Sequence, residues 1–286
     1  MLGHQVARQF QLRGETWATV RKSDDLGRAT EVLNGVQIYP GVDAMSFDSI
    51  VAALHEIRPT VVVNCIGIIK QDSLAEDPTV AIEVNALLPH RIAAVCDAVS
   101  AKLIHVSTDC VFSGRKGGYT ESDVADATDL YGRSKYLGEV HRAPHLTLRT
   151  SIIGPELRTS RSLLDWFLAL RGTVHGFNRA IFSGLTTPEM SRVIVNCATN
   201  WQHLTGLYQV SAAPINKFEL LSLVKSHFGL LTDIQAKSEL VIDRSLDSTR
   251  FQAITGYRPP SWDEMIAELA ALPHHASTGG IYVSSR

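Results

Sequence analysis

Apolar and polar residues alternate with two different periods along the first half of the chain. Residues 5–12 and 47–57 place apolar side chains three and four positions apart, the spacing of an amphipathic helix. Residues 60–69 form a continuous apolar run, typical of a strand buried on both faces. The same reasoning predicts strands at 16–21, 102–107 and 146–150, and helices at 80–100 and 129–141. Strands alternating with helices predict right-handed crossovers, and hence an α/β fold with a parallel sheet.

The pattern changes after about residue 153. Helical spacing recurs at 162–170, 189–201, 217–228 and 262–272, with few strands between these segments. We therefore predict a sheet-containing domain over 1–153 and a smaller substrate-binding lobe over 154–273. The last stretch, 274–286, is small and polar, and we expect a mobile tail there.

Composition and charge narrow the class of protein. The chain has 286 residues, 45% of them hydrophobic and 20% charged, which is ordinary for a globular protein. A net charge of −2 gives no general affinity for nucleic acids or membranes, and no apolar run reaches the length of a membrane span. The four cysteines lack metal-site or redox spacing, so we expect reduced thiols, no metal and a cytoplasmic location. They are Cys65, Cys96, Cys110 and Cys197.

The most informative chemistry follows the strand at 102–107. A hydroxyl pair, Ser107 and Thr108, closes that strand, and Tyr131 and Lys135 come later in a predicted helix. Positions i and i+4 share one helix face, so the phenol and the ammonium should point into the same cleft. A fixed ammonium favours the phenolate, and we therefore expect the Tyr131 pKa to be lowered towards a usable proton donor or acceptor.

Several motifs occur in an order and spacing that resemble a known family. They are MLGHQVAR, RPTVVVNCIG, VNALLPHRIA, HVSTDCVFSG, YGRSKYLGE, LRTSIIGPE and DRSLDSTRFQAITGYRPPSW. Together they resemble the extended short-chain dehydrogenase/reductase superfamily, and within it the dTDP-4-dehydrorhamnose reductase (RmlD-like) branch. The resemblance implies a Rossmann-like, doubly wound sheet and the reduction of a 4-keto-6-deoxy nucleotide-sugar by NAD(P)H.

The resemblance also implies roles for the four residues described above. Tyr131 would protonate the ketone oxygen as hydride arrives, and Lys135 would bind the nicotinamide ribose. Thr108 would hydrogen-bond the ketone, with Ser107 beside it. A carbonyl that gains hydride becomes an alkoxide and needs such donors. The alternatives are a strand-end hydroxyl bonded to backbone, a solvated lysine and a packing tyrosine.

Further positions are expected along the cofactor cleft, since ligands of such folds bind beyond the carboxyl ends of the strands. For these the alternatives are an ordinary turn, a core asparagine, a surface carboxylate or a structural ion pair. The expected positions are Gly3, Asp43, Asn64, Ile66, Gly67, Asn85, Arg149, Thr150 and Ser151.

Basic residues end the strand at 16–21. Arg21 and Lys22 stand where a basic side chain suits a ribose 2′-phosphate, so NADPH is favoured over NADH, although NAD stays open. Asp24 and Asp25 follow closely, and a solvated charge run is the alternative.

The chain departs from the family at its first residues. Met1–His4 resembles the end of the glycine-rich phosphate loop, but the strand and two glycines that precede it in the family are absent. The loss of that strand would leave ladder groups unpaired on two neighbours. Two explanations stay open: a sequence that starts at an internal methionine, with two further glycines encoded upstream, or a truncated relative that binds cofactor poorly.

Substrate and partners are less specified. Residues 176–179 and 186–188 are expected to meet the sugar nucleotide, and Arg244 or Arg250 could pair with its diphosphate, although surface roles are equally open. A homodimer is expected through the helices at 80–100 and 129–141. The apolar residues predicted for its face are Val84, Leu88, Ile92 and Leu137. Two other functions stay open: a different nucleotide-sugar epimerase or dehydratase of the extended superfamily, or a non-catalytic nucleotide-binding regulatory subunit.

Overall fold

The computed structural model describes residues 1–22, 26–69, 76–157 and 162–272. Asp24 and Asp25 lie outside this range, as does the predicted tail. The helices are α1 Leu2–Gln11, α2 Leu26–Val32, α3 Phe47–Ile57, α4 Pro78–Ala81, α5 Leu88–Ala98, α6 Leu130–Leu137, α7 Leu163–Ala169, α8 Thr187–Thr199, α9 Lys217–His227, α10 Thr249–Thr255 and α11 Trp262–Ala271. The strands are β1 Trp17–Val20, β2 Gln37–Pro40, β3 Val61–Asn64, β4 Lys102–Thr108, β5 Leu146–Thr150, β6 Ile152–Ile153, β7 Thr173–Phe177, β8 Ala180–Phe182, β9 Leu185–Thr186, β10 Gly206–Gln209, β11 Ile215–Asn216, β12 Asp233–Lys237 and β13 Ile242–Asp243.

A four-stranded parallel sheet forms the centre of the fold, in the order β10-β5-β4-β3. Leu103 and Ile104 are neighbours in β4 but belong to two different apolar clusters, because successive side chains point to opposite faces of a strand. Helices α3 and α5 contribute to one cluster, and α8, α9 and α11 to the other. The predicted α/β fold, with a sheet covered on both faces, is confirmed.

A second parallel sheet contains only β1 and β2. Among the described residues, β1 pairs with β2 alone and β3 with β4 alone, so each keeps one edge without a partner strand. All four residues of β1 and all four residues of β3 line one cavity of about 1400 Å³. The expected unpaired ladder groups are therefore present, and the β1-β2 sheet is separate from the main sheet.

The remaining strands belong to the second half of the chain, in three small sheets. The prediction of few strands after residue 153 was wrong, because these strands are two to five residues long and give no extended apolar pattern. One strand, β10, pairs with β5 in the main sheet. The main sheet thus takes a strand from beyond the predicted boundary at 153.

Several predicted elements have different bounds. The apolar run at 60–69 becomes strand only to Asn64, and the helix predicted to 141 ends at Leu137. The helix predicted at 80–100 runs continuously from Pro78 to Ala98 and includes a π-helical segment, Ile82–Leu87. By length and composition this 21-residue helix could cross a membrane, which the sequence-based expectation missed. Half of its most apolar part is buried inside the fold, and core helices of this kind pass the same test.

The predicted dimer face is largely interior. Val84, Leu88 and Ile92 are buried in the apolar cluster beside the sheet, so for them the prediction was wrong. Leu137 is 60% exposed, and Tyr136 beside it is 44% exposed. The dimer stays a prediction, now resting on a smaller exposed patch that also includes Ile82 and Leu87.

The ring of Phe251 in α10 packs against β10 of the main sheet. Its side chain is fully buried and lies against Tyr208, Trp201 and Tyr257. We predict that Phe251→Ala lowers the free energy of unfolding by about 3–5 kcal/mol, measured by urea denaturation. The control is Ile254→Ala on the same helix, 46% exposed, which should change it by less than about 0.5 kcal/mol. Equal effects of the two changes would contradict this account of the packing.

Candidate active site

The carboxyl ends of three parallel strands meet at one edge of the main sheet. Asn64 of β3 pairs in register with His105 of β4, and Thr108 of β4 pairs with Thr150 of β5. Because the strands are parallel, the residues that follow them converge on the same side of the fold. Several predicted residues line the cavity there, which confirms that the fold brings them together. These are Gly3, Asn64, Ile66, Gly67, Ser107, Thr108, Tyr131, Lys135, Thr150 and Ser151.

The chain turns sharply after β4. The Thr108 hydroxyl accepts a hydrogen bond from the Cys110 N–H at 3.1 Å and so caps a short 3₁₀ turn, Asp109–Val111. The same hydroxyl donates to the Asp109 carboxylate at 3.2 Å. Thr108 is thereby fixed at the mouth of the strand. The alternative, a buried strand-end hydroxyl bonded to backbone, agrees with the bond to the Cys110 N–H, so a contact between Thr108 and a ligand stays a prediction.

Helix α6 carries the other two residues of the candidate site. Asp129 begins the helix by accepting the Gly132 N–H at 2.8 Å. A side chain at Gly132 would collide with the Cys110 carbonyl, so a glycine lets the helix approach the turn after β4. This close approach brings Tyr131 and Lys135 to the cavity together, as their i,i+4 spacing predicts.

The electrostatics of Tyr131 differ from the expectation. Burial raises the pKa of its phenol, and the neighbouring Cys110 and Asp109 raise it further, while a hydrogen bond with Thr108 opposes the change. The prediction that Lys135 lowers this pKa was wrong for this structure. The Lys135 ammonium instead donates to the Val106 carbonyl of β4 at 2.9 Å. Tyr131 is therefore held as a neutral phenol, the form that can give up a proton.

Lys135 is buried beside the loop that follows β3. Burial lowers the pKa of its ammonium to about 8, although Glu139 and Cys65 oppose the shift. It is buried rather than solvated, which excludes the alternative of a surface lysine. Among the described residues, the Val106 carbonyl is the one hydrogen-bond acceptor of this ammonium, which has three N–H donors and so can also bind hydroxyl groups of a ligand.

The loop after β3 is held in place by two asparagines. Asn64 accepts the Ile66 N–H at 3.0 Å. Asn85 accepts the Ile68 N–H at 2.9 Å and donates to the Ile68 carbonyl at 3.1 Å. Asn85 does not line the cavity, so it supports the loop from behind. A Cβ on Gly67 would lie 3.4 Å from the Asn85 amide oxygen and 3.8 Å from the Lys135 ammonium, so glycine leaves that space unfilled.

A buried ion pair lies behind the site. Arg149 donates to both carboxylate oxygens of Glu139 at 2.7 Å, and Ser107 donates to the same carboxylate at 2.7 Å. Arg149 is therefore one partner of a structural ion pair and does not line the cavity. The prediction that it contacts the cofactor was wrong. Sequence reasoning missed Glu139, although its position four residues after Lys135 was an available signal.

Other predicted residues lie away from the cavity. Arg21 and Lys22 are exposed just beyond β1, and Asp43 accepts the Met45 N–H in a turn. Arg250 lies over the Tyr208 ring, 4.4 Å from its centroid. Residues 176–179 and 186–188 do not line the cavity either, whereas Arg244 does. Contacts of these residues with a ligand stay predictions. Among the described residues, no group of three or more His, Cys, Asp or Glu side chains could hold a metal ion.

Comparison with known protein families identifies the family to which the first part of the chain is similar. Residues 1–163 match the RmlD substrate binding domain. A probable low-salt glycan biosynthesis reductase, Agl14, of Haloferax volcanii is 39% identical over 99 residues, 34% of this chain and 33% of that protein. The dTDP-4-dehydrorhamnose reductase of Mycobacterium tuberculosis is 42% identical over 84 residues, 28% of each chain. The mouse methionine adenosyltransferase 2 subunit beta is 28% identical over 139 residues, 49% of this chain and 39% of that one. The matched stretches thus span about a third of these relatives.

Solved structures resemble the whole fold. A hypothetical dTDP-4-dehydrorhamnose reductase from Sulfolobus tokodaii superposes with a TM-score of 0.75 at 25% identity, covering 92% of this chain and 94% of that one. The dTDP-4-dehydrorhamnose reductase of Bacillus anthracis in complex with NADP gives 0.73 at 23% identity, covering 89% and 98%. These neighbours confirm the Rossmann-like fold expected from the sequence.

The ion pair between Glu139 and Arg149 yields a stability prediction. Burial alone would raise the Glu139 pKa, but hydrogen bonds from Arg149, His141 and Ser107 bring it below its usual value. We predict that Glu139→Gln lowers the free energy of unfolding by about 3–5 kcal/mol at pH 7, because it leaves Arg149 buried without a carboxylate.

The effect should depend on pH in a defined direction. A carboxylate with a lowered folded-state pKa contributes stability above its unfolded pKa of about 4.3, and the contribution is lost as pH falls through the folded value. The difference between wild type and Glu139→Gln should therefore shrink in acid, as measured by denaturation over that range. A difference that stays constant would argue against an ionised Glu139.

Proposed function

The chain belongs to the RmlD substrate binding domain family, and from that premise we propose that it is an NAD(P)H-dependent reductase of a keto group in a nucleotide-sugar. The observation that carries the proposal is the convergence of Thr108, Tyr131 and Lys135 on one cavity at the carboxyl edge of a parallel sheet. A 4-keto-6-deoxy sugar, the substrate type expected from the sequence, is the reference compound for its assay.

The residues present fit a nicotinamide cofactor. The cavity, about 1400 Å³, exceeds the roughly 300–1,000 Å³ of common ligand pockets because it combines the site with the space between β1 and β3. Lys135 has donors to spare for ribose hydroxyls, and Gly67 keeps the loop beside it open. When bound, a reduced nicotinamide supplies the hydride. NADPH is the proposed form, because Arg21 and Lys22 are exposed beyond β1 and a relative of this fold was solved with NADP.

The chain's own residues would supply position and a proton. Thr108 would donate to the ketone oxygen and polarise it, and the neutral Tyr131 phenol would give that oxygen its proton. Lys135 would orient the cofactor through the N–H donors that the Val106 carbonyl leaves unused. The raised Tyr131 pKa suits this direction of transfer, because the phenol stays protonated until the alkoxide forms.

Measurements of NADPH consumption and turnover distinguish two other functions from the proposed one. An epimerase would return its cofactor oxidised and would consume no NADPH over the reaction. A non-catalytic nucleotide-binding subunit is the other alternative, and one similar protein is named as a subunit, methionine adenosyltransferase 2 subunit beta. Such a subunit would bind nucleotide without turnover. The cytoplasmic location and the homodimer are further parts of the proposal.

Removal of the Tyr131 hydroxyl tests the reaction directly. We predict that Tyr131→Phe lowers kcat for the reference ketone by about 10²–10⁴-fold, because the proton donor is lost. NADPH affinity should stay within about twofold, as the ring remains. The control is Tyr136→Phe on the same helix, whose side chain is 44% exposed and should leave kcat unchanged. Half of wild-type activity in Tyr131→Phe would overturn the catalytic assignment, and comparison of NADPH with NADH in this assay measures cofactor preference.

The lowered pKa of Lys135 gives a pH prediction. The ammonium form is lost as pH rises through its pKa of about 8. If the charge orients the cofactor, kcat/KM, which reports groups of the free enzyme, should fall in the same direction above about pH 8. Lys135→Arg, which keeps its charge, should move this fall to higher pH. A wild-type profile that is flat between about pH 7 and 9 would show that the Lys135 charge is not required.

A further inference from the structure

Two basic side chains reach the cavity from the second half of the chain. Lys217 is the first residue of α9, and Arg244 follows β13. Both line the cavity together with Thr108, Asp109 and Tyr131. The reacting groups come from β4 and α6, whereas these two cations come from elements of the second half of the chain.

Neither cation has a carboxylate within ion-pair distance among the described residues. The Lys217 ammonium lies 4.0 Å from the ring centroid of Phe182 and makes no hydrogen bond to a described residue. Arg244 donates through Nε to the Phe112 carbonyl at 2.8 Å, and its Nη1 lies 3.9 Å from the Cys110 sulfur. Each therefore keeps donors directed at the cavity.

The balance of charge on this wall is positive. Two cations face one nearby acid, Asp109, so one positive charge is in excess even when Asp109 is ionised. Burial raises the Asp109 pKa and lowers the Lys217 pKa, which shows that the surroundings disfavour both charges. Half-buried cations without a carboxylate partner are costly, and an anion from a ligand would offset that cost.

The cations lie close to the reacting groups. Thr108 and Cys110 are two residues apart, at most about 7 Å along the chain. Arg244 contacts the Cys110 sulfur, and Thr108 bonds to Tyr131. An anion bound to Arg244 would therefore lie close to the turn that carries Thr108.

We infer that Lys217 and Arg244 bind a carboxylate carried by the sugar of the substrate. The inference rests on the proposed nucleotide-sugar function and narrows it: the sugar would be acidic, unlike the neutral 6-deoxy reference compound. Arg244 is anchored by Phe112 and supplies a fixed guanidinium, whereas Lys217 supplies a mobile point charge.

Binding measurements with matched ligands test the inference. Isothermal titration in the presence of NADP⁺ would compare three probes, each in uridine and thymidine form: the nucleoside diphosphate, its glucose conjugate and its glucuronate conjugate. The two conjugates differ only in a hydroxymethyl or a carboxylate beside the C4 carbon. Wild type should bind the glucuronate conjugate about tenfold or more tighter than the glucose conjugate, the effect of a charge-assisted contact.

Substitutions in α9 test whether Lys217 causes the preference for the glucuronate conjugate. Lys217→Met should bring the two conjugates to nearly equal affinity without changing that of the bare diphosphate, and Lys217→Arg should restore much of the preference. The control is Lys225→Met, on the same helix but not lining the cavity, which should keep the wild-type preference.

The outcomes separate the inference from the proposed function. Equal binding of the two conjugates by wild type would overturn the inference and leave the reductase proposal standing. Weaker binding of the bare diphosphate by Lys217→Met would assign the cations to the diphosphate and also overturn it. Failure of all three probes to bind in either nucleotide form, with NADP⁺ bound, would overturn both.

Discussion

The buried pair of Glu139 and Arg149 is the interaction on which the candidate site depends. Arg149 belongs to β5, Ser107 to β4, and Glu139 follows α6, so one carboxylate joins the three elements that carry the reacting groups. Its charge also opposes the lowering of the Lys135 pKa by burial. A paired charge of this kind is not needed for stability as such, since apolar residues can replace it. Its position argues that geometry and the charge of Lys135 are what it maintains.

Burial sets the direction of proton transfer at this site. The sequence suggested an ammonium that lowers the phenol pKa, whereas the fold buries Tyr131 and ties Lys135 to the Val106 carbonyl. A ketone reduction needs a phenol that remains neutral until the oxygen gains electrons. The low-polarity surroundings provide that state, and they lower the pKa of Lys135 to about 8 for the same reason. The same environment thus raises the pKa of Tyr131 and lowers the pKa of Lys135.

The sequence predicted the parts of the molecule that follow a local rule. The i,i+4 spacing placed Tyr131 and Lys135 on one face, and the apolar run at 60–69 predicted a buried strand. The sequence did not predict the ion pair of Arg149 with Glu139, because such a pair depends on which elements become neighbours in the fold. The short strands of the second half also escaped, since two to five residues carry too little pattern to separate strand from loop.

The two halves of the chain contribute different kinds of side chain to the cavity. The residues on the main-sheet side are tied to one another by short hydrogen bonds, as Thr108 is to Asp109, so a change in one alters the chemistry itself. Lys217 and Arg244 come from the second half of the chain, and Arg244 contacts the turn after β4 at the Phe112 carbonyl and the Cys110 sulfur. Side chains so loosely coupled to the reacting groups can be replaced with little effect on proton transfer. On the proposed function, the choice of sugar could therefore change while the reaction stays the same, and we expect such a change first in the charge of Lys217 and Arg244.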